Sequence, residues 1–129
     1  MKEIKPDQFR AKSLIESSNE LIKYTDTLTI KNISSTTIFN NYYEAFRQLG
    51  DAYCYLIGIK PENHIDSLNC IKNMNINTKR PIKNIDNFRR TRNKSKYEGH
   101  TISIAEAKDI RDFKEKCFEK ILNEIKKVL

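Results

Sequence analysis

Glycine and cysteine are scarce in this sequence of 129 residues, which contains three of each. No GxGxxG, Walker A, GxSxG or HExxH arrangement occurs, so dinucleotide-binding, nucleotide-hydrolysing, esterase and zinc-protease chemistry find no support. The cysteines Cys54, Cys70 and Cys117 form no CxxC pair, which argues against both a disulfide framework and a zinc site. The sequence therefore predicts no metal and no cofactor.

Long apolar runs are also missing. The longest, around Tyr53 to Ile59, falls far short of the roughly 20 residues that span a bilayer. The first 12 residues lack the apolar core of a signal peptide. We therefore expect a soluble, unprocessed, cytoplasmic protein with reduced thiols. A chain of this length forms one hydrophobic core, so residues 1–129 are predicted to be a single domain.

Positive charge is abundant and confined to one segment. The chain carries 24 basic and 17 acidic residues, a net charge of +7. Residues 79–96 contain eight of the basic residues and the single acid Asp86, so the remainder holds 16 of each sign. A stretch of one sign favours phosphates, nucleic acid or an acidic partner. The alternative is a basic helix that faces acidic helices of the same fold. The eight residues are Lys79, Arg80, Lys83, Arg89, Arg90, Arg92, Lys94 and Lys96.

Apolar residues recur at helical spacing along nearly the whole chain, which predicts an all-α fold. The first helix is expected from Asp7 to about Leu28, followed by a linker over 29–33. Ser34 or Ser35 is expected to cap the second helix. The apolar stripe of the first helix consists of Ala11, Leu14, Ile15, Ser18, Leu21, Ile22 and Leu28.

The second helix has the strongest apolar stripe and is expected to end at Gly58 and Pro61. Gly50 within it costs about 1 kcal/mol relative to alanine, and a closely approaching partner helix would offset this cost. Tyr42, Tyr43, Tyr53 and Tyr55 are interpreted as packing residues. The stripe consists of Phe39, Tyr42, Phe46, Leu49, Gly50, Tyr53, Leu56 and Ile57.

Three more helices complete the predicted fold. A short third helix is expected over 62–74, with Ile65, Leu68 and Ile71 as apolar contacts, followed by a loop over 73–80. Pro81 suits the first turn of a fourth helix that ends at Gly99. These helices, with the fifth, make an antiparallel bundle of four main helices and one short helix.

The fifth helix has the clearest start, because Ser103 and Glu106 form a capping box. Cys117 falls on its apolar stripe and is predicted to lie in the core. Acidic pairs on this helix, such as Asp109 with Asp112, are interpreted as surface ion pairs. The stripe consists of Ala107, Ile110, Lys114, Cys117, Ile121, Ile125 and Val128.

The fourth helix carries an unusual face on which core residues give way to cations. Ile82, Ile85 and Phe88 begin an apolar stripe, and Arg89, Arg92 and Lys96 continue it at helical spacing. Arginine is rarely buried without a partner. Arg92 is therefore expected in a cleft, at the end of the bundle or at a subunit interface.

The segment RNKSKYEG, from Arg92 to Gly99, resembles the end of the motif helix of HEPN domains, in which Arg is followed after four to six residues by His. AKSLIESSNELI, YYEAFRQLGDAYCYLIGIKPENH and ISIAEAKDI resemble other parts of one archaeal and bacterial branch, so the resemblance covers nearly the whole chain. It implies a helical bundle that forms a homodimer with a basic cleft. It also implies that Arg89, Arg92, Asn93, Lys96 and Tyr97 bind RNA or a nucleotide.

Many HEPN proteins cleave RNA without metal, which requires a proton acceptor for the ribose hydroxyl and a cation for the phosphate. Arg92 meets the second need. Tyr97 stands where the family has His, and its unperturbed pKa near 10 makes it a poor base at neutral pH. Tyr97 could instead stack on a base or hydrogen-bond a phosphate. His64 or His100 would substitute as the base if the fold brought either one to Arg92.

Three functions stay open at this point. The preferred one is an RNA- or nucleotide-binding homodimer, within a toxin-antitoxin or defence system. The second is a metal-independent ribonuclease that uses Arg92 with Tyr97 or a displaced His as catalytic residues. The third is a companion subunit for a separately encoded nucleotidyltransferase antitoxin, since this chain carries no nucleotidyltransferase motif.

Overall fold

The structure is a computed structural model that describes residues 2–129. Five α-helices occur in this part of the chain, together with a 3₁₀ turn at Ile82–Asn84 and one pair of two-residue strands. None of these helices is both long and apolar enough to cross a bilayer. The elements are β1 Lys2–Glu3, α1 Gln8–Asp26, α2 Ser35–Leu56, β2 Ile59–Lys60, α3 His64–Lys72, α4 Ile85–Glu98 and α5 Ile104–Lys126. The all-α prediction is confirmed.

Helix α2 is the centre of the bundle and packs against α1, α3, α4 and α5. Its stripe is apolar for most of its length, so it can bury residues against several neighbours at once. The ring of Phe46 lies 4.9 Å from that of Phe113 on α5, and Phe113 lies 5.1 Å from Phe88 on α4. This aromatic cluster fixes α4 in the core through Phe88.

Three predicted helix boundaries are confirmed. The Asp7 side chain accepts a hydrogen bond from the Arg10 amide at the start of α1. Ser103 and Glu106 form the complete capping box of α5. Gly99 ends α4 in the left-handed conformation with φ of 72°, which a glycine adopts without steric cost.

Ser34 precedes α2, but it makes no side-chain cap there. Its hydroxyl accepts from the Lys31 amide and donates to the Thr29 carbonyl, so it closes the preceding turn instead. At the other end of the linker, Leu28 lies beyond the end of α1 but still packs against the core. The strand pair β1–β2 had no alternating signal in the sequence because each strand has only two residues.

Helix α3 is shorter than predicted, because the Asn63 side chain caps it at His64 by accepting from the Asp66 amide. Leu68 and Ile71 are buried, but Ile65 is 50% exposed, so its predicted core contact is wrong. Ile65 lies in the first turn of the helix.

Two further predictions need correction. Pro81 precedes the 3₁₀ turn at Ile82–Asn84, and α4 begins only at Ile85. Val128 lies beyond the end of α5 and is 47% exposed, so it does not extend the apolar stripe. Cys117 is buried, as predicted, and Cys54 and Cys70 are buried free thiols as well.

Gly50 marks the closest approach of α2 and α3. A Cβ atom built on Gly50 would overlap the backbone carbonyl of Ser67 on α3, so no larger residue fits without moving α3. Beside this contact, the Ser67 hydroxyl donates to Asp51, which also binds Arg47. The predicted reason for a glycine in α2 is confirmed, and these contacts hold α3 at a fixed position on α2.

Candidate functional site

The basic segment divides into two parts with different surroundings. Arg80 at its start binds Asp109 and Asp112 of α5 at 2.8 and 3.0 Å. Its guanidinium also lies over the rings of Phe88 and Phe113. At this end, Arg80 is therefore neutralised by acidic side chains of the same fold.

The other end has no such partners. On α4, Arg89, Arg92 and Lys96 form no ion pair with any carboxylate among residues 2–129. Their positions at i, i+3 and i+7 put them on one face of the helix. The positive charge on this face is therefore not neutralised within the described chain.

Arg92 is partly buried and lies between two clefts, as its position on the core stripe predicted. Its guanidinium carbon lies 5.5 Å from the centroid of the Tyr43 ring on α2, which is a cation–π contact. One nitrogen makes a long hydrogen bond of 3.4 Å to Asn93. These contacts hold the guanidinium over α2 while they leave most of its donors available.

The first cleft lies between α4 and the start of α3, and we call it the tyrosine cleft. It has a volume of about 300 Å³. Every ligand-binding residue predicted from the sequence lies here, together with three residues from the start of α3. Its lining consists of Asn63, His64, Ile65, Arg89, Arg92, Asn93, Lys96 and Tyr97.

The second cleft lies between α4 and α2, and we call it the amide cleft. It has a volume of about 570 Å³ and shares Arg92 and Lys96 with the tyrosine cleft. Apart from Glu44 and the two cations, its lining side chains are neutral. The lining consists of Thr36, Asn40, Asn41, Tyr43, Glu44, Arg92, Ser95 and Lys96.

Tyr97 is 70% exposed at the end of α4. The ammonium nitrogen of Lys96 lies 5.4 Å from the centroid of its ring. The ring therefore does not pack into the bundle, and one aromatic face is available to a ligand. These surroundings suit Tyr97 to stacking on a ligand better than to accepting a proton.

His64 reaches the Arg92 site, whereas His100 does not. His64 opens α3 and lines the tyrosine cleft. His100 instead contacts both carboxylate oxygens of Glu106 at 2.9 and 3.0 Å, at the start of α5. Of these two histidines, His64 is the one that lines a cleft together with Arg92.

A hydrogen bond to Tyr43 defines the chemistry of His64. The Tyr43 hydroxyl lies 3.2 Å from His64 Nδ1. Burial raises the pKa of Tyr43 to about 12, so the hydroxyl keeps its proton at neutral pH. Burial, together with the charges of Arg92 and Arg47, lowers the pKa of His64, so its imidazole is neutral at pH 7.

The same bond selects one tautomer of the neutral ring. The buried Tyr43 hydroxyl has no other hydrogen-bond partner among residues 2–129. If Nδ1 carried the hydrogen, the hydroxyl proton would be left unpaired, at a cost of about 1–3 kcal/mol. Tyr43 therefore donates to Nδ1, and Nε2 carries the hydrogen. In this state His64 is a hydrogen-bond donor rather than a base.

Sequence reasoning missed the residues that α2 contributes to the site. The sequence indicates only a packing role for Tyr43 and gives no functional signal for Thr36, Asn40 or Asn41. Their spacing of one helical turn does place them on a common face of α2. Nothing in the sequence, however, indicates that this face meets α4 beside Arg92, because that contact depends on the tertiary packing.

No protein-family model, no curated protein and no solved structure matches this chain. Among residues 2–129, no group of three His, Cys, Asp or Glu side chains is arranged to hold a metal ion. The chemistry of the site therefore depends on Arg92 and its neighbours.

Proposed function

We propose that the chain is a HEPN-like protein that binds RNA or a nucleotide at Arg92. The observation that carries this proposal is the row of Arg89, Arg92 and Lys96, which has no carboxylate partner within residues 2–129. A phosphate group would supply the missing negative charge. The planar guanidinium of Arg92 can bind two phosphate oxygens at once.

The other groups of the tyrosine cleft favour a nucleic acid over a simple anion. Tyr97 presents an exposed ring beside the cations, and aromatic rings stack on the bases of single strands. His64 offers a neutral N–H donor, which suits a phosphate oxygen or a base acceptor. An acidic protein surface would use the cations but would leave the aromatic ring without a specific partner.

The test compares Arg92→Ala with Arg90→Ala. Both variants remove one arginine from α4, but Arg90 lines neither cleft. Fluorescence anisotropy with a labelled single-stranded RNA in 50 mM KCl should show at least about tenfold weaker binding for Arg92→Ala, and a much smaller loss for Arg90→Ala. Equal affinities of Arg92→Ala and the unaltered protein would refute the proposal.

Ribonuclease activity is a second candidate, and the observation in its favour is that His64 lines the same cleft as Arg92. His64, whose tautomer is set by Tyr43, is a neutral hydrogen-bond donor, which suits binding. His64 would need its charged form, which burial and the Arg92 charge disfavour, to protonate a leaving group. It would need its other tautomer to accept a proton from the ribose hydroxyl. We therefore rank binding above cleavage.

Incubating the protein with single-stranded and structured RNA in EDTA separates the two candidates. A binding protein leaves the RNA intact at all protein concentrations. A ribonuclease produces cleavage that both Arg92→Ala and His64→Ala abolish. Cleavage that persists in either variant would indicate a contaminant or a different site.

A homodimer is a further proposal, which rests on the resemblance to HEPN domains. Sedimentation equilibrium tests it directly. A single species with the 15.2 kDa mass of one chain at micromolar concentration would count against a dimer.

A further inference from the structure

We infer that the Arg92 site takes a dinucleotide step of a single strand, with one nucleoside in each cleft and the linking phosphodiester at Arg92 and Lys96. This inference rests on the proposed function and adds the form of the ligand. Arg92 and Lys96 are the two residues that line both clefts. A ligand held by both cations therefore has an open cleft on each side of its phosphate.

Both clefts are of a size that suits a small ligand. Clefts that hold small molecules have volumes of about 300–1,000 Å³. The tyrosine cleft, at about 300 Å³, and the amide cleft, at about 570 Å³, both reach this range. A mononucleotide bound at Arg92 would fill one of them and leave the other empty.

The amide cleft has the groups that recognise the edge of a base. The side chains of Thr36, Asn40, Asn41 and Ser95 line it, and none of them makes a hydrogen bond within residues 2–129. An asparagine amide offers a donor and an acceptor side by side, which is the pattern that pairs with base edges. These unused groups are available to a nucleoside.

Glu44 is the only acid in either lining, and it is already engaged. Both of its carboxylate oxygens bind Arg47, at 2.5 and 2.9 Å. Its negative charge still disfavours a phosphate deep in the amide cleft. The phosphate is therefore directed to Arg92 and Lys96, at the boundary between the clefts, and the uncharged nucleoside goes inward.

The tyrosine cleft offers stacking instead of edge recognition. Tyr97 and Ile65 are 70% and 50% exposed, and they supply an aromatic and an aliphatic surface beside the cations. Binding in the amide cleft requires a base with a free edge, and stacking in the tyrosine cleft requires a base with a free face. Bases in a duplex are paired and stacked on both sides, so the inference excludes double-stranded nucleic acid as the preferred ligand.

The test measures the affinity of the full chain for the four ribodinucleoside monophosphates ApA, CpC, GpG and UpU, and for the matching nucleoside monophosphates, by isothermal titration calorimetry. Charge alone predicts tighter binding of the monophosphate, which carries about −1.5 to −2 at pH 7, against −1 for the dinucleotide. Two filled clefts predict the opposite order. We expect the best dinucleotide to bind at least about fivefold tighter than its own monophosphate.

Variants assign the gain to the two clefts. Asn41→Ala and Tyr97→Ala should each remove most of the preference for the dinucleotide, while the monophosphate affinity changes less. Tyr97→Phe keeps the aromatic face and Asn123→Ala removes an amide outside both clefts, so both should retain the preference. If Asn41→Ala retained it, no nucleoside would occupy the amide cleft, and the inference would fail.

The outcomes distinguish this inference from the proposed function. Equal or weaker binding of the dinucleotide, with Arg92→Ala still reducing the affinity for both ligands, overturns the two-cleft inference and leaves nucleotide binding at Arg92 intact. Absence of binding by the dinucleotides, the monophosphates and longer single-stranded RNA overturns both.

Discussion

Arg80 and Arg92 are two arginines of the same basic segment, and each lies over aromatic rings of the core. The two arginines differ in the groups that face their guanidinium N–H donors. Arg80 is held by Asp109 and Asp112, and its side chain is 19% exposed. Among residues 2–129, the guanidinium of Arg92 makes one long hydrogen bond, to its neighbour Asn93, and it opens into two clefts.

The difference shows that local charge density does not by itself identify a binding site. Both ends of the segment contribute to the same net charge of the chain. Arg80 has two carboxylate partners, whereas Arg92 has none within residues 2–129. The partner set of each arginine, and not its position in a basic run, indicates which one stabilises the fold and which one is available to a ligand.

Removing Arg80 should give the largest effect, and the effect should be on stability. Arg80→Ala leaves Asp109 and Asp112 without their partner and removes a guanidinium packed on Phe88 and Phe113. We expect a loss of about 2–3 kcal/mol in the free energy of unfolding, between the values for exposed and buried pairs. Urea denaturation followed by circular dichroism measures it.

The same variant should bind RNA normally at a temperature where it is folded. If Arg80→Ala lost affinity as strongly as Arg92→Ala, the two ends of the segment would not have the separate roles described here.

Introducing an acidic residue beside Arg92 should have the next largest effect, and this effect should be on RNA affinity. Ser95→Glu places a carboxylate in the amide cleft, three residues from Arg92. We expect RNA affinity to fall about tenfold or more, because the added charge repels phosphate and occupies the guanidinium. The free energy of unfolding should change by less than about 0.5 kcal/mol. A carboxylate near the C-terminal end of α4 is unfavourable, and its new ion pair with Arg92 should offset this cost.

Ser95→Gln is the matched control, since it has the size of glutamate without the charge. Anisotropy titrations should show near-normal affinity for this variant. An equal loss in Ser95→Gln and Ser95→Glu would mean that bulk, rather than charge, blocks the cleft.

The smallest expected effect is a pH dependence due to His64. Its pKa in the folded state lies below the ordinary 6.5, because of burial first and the Arg92 charge second. The folded state therefore takes up the proton less readily than the unfolded state. The stability contributed by the neutral ring is complete above pH 6.5 and is lost as the pH falls through the folded-state pKa.

His64→Gln removes this titration. The unfolding free energy of the unaltered protein should therefore decline more steeply than that of His64→Gln on acidification below pH 6.5, and the two should run parallel above it. Parallel behaviour throughout would mean that burial and the Arg92 charge do not disfavour the charged ring.

The fold was predictable from the sequence wherever the signal is local. The caps at Asp7 and at Ser103 with Glu106, and the left-handed stop at Gly99, depend on residues within one turn of each other. The position of Gly50 even predicted a close helix approach, because a mid-helix glycine has a cost that packing must offset. The start of α3 was less predictable, since the Asn63 cap places it at His64 rather than at residue 62.

The candidate site was only partly predictable for the same reason. Arg92 and its cationic neighbours share one helix, so their common face followed from helical geometry. His64 and Tyr43 are 21 residues apart in the sequence, so their contact depends on how α3 packs against α2. No periodic signal in either helix reports that contact.

The close approach at Gly50 affects the shape of the candidate site, although Gly50 itself lines neither cleft. The start of α3 carries His64 and Ile65 into the tyrosine cleft, and α3 can sit where it does only because Gly50 has no side chain. A single added methyl group there would lift α3 from α2 and carry the wall of the cleft away from Arg92. The shape of the tyrosine cleft therefore depends in part on the absence of a side chain at Gly50, in the middle of α2.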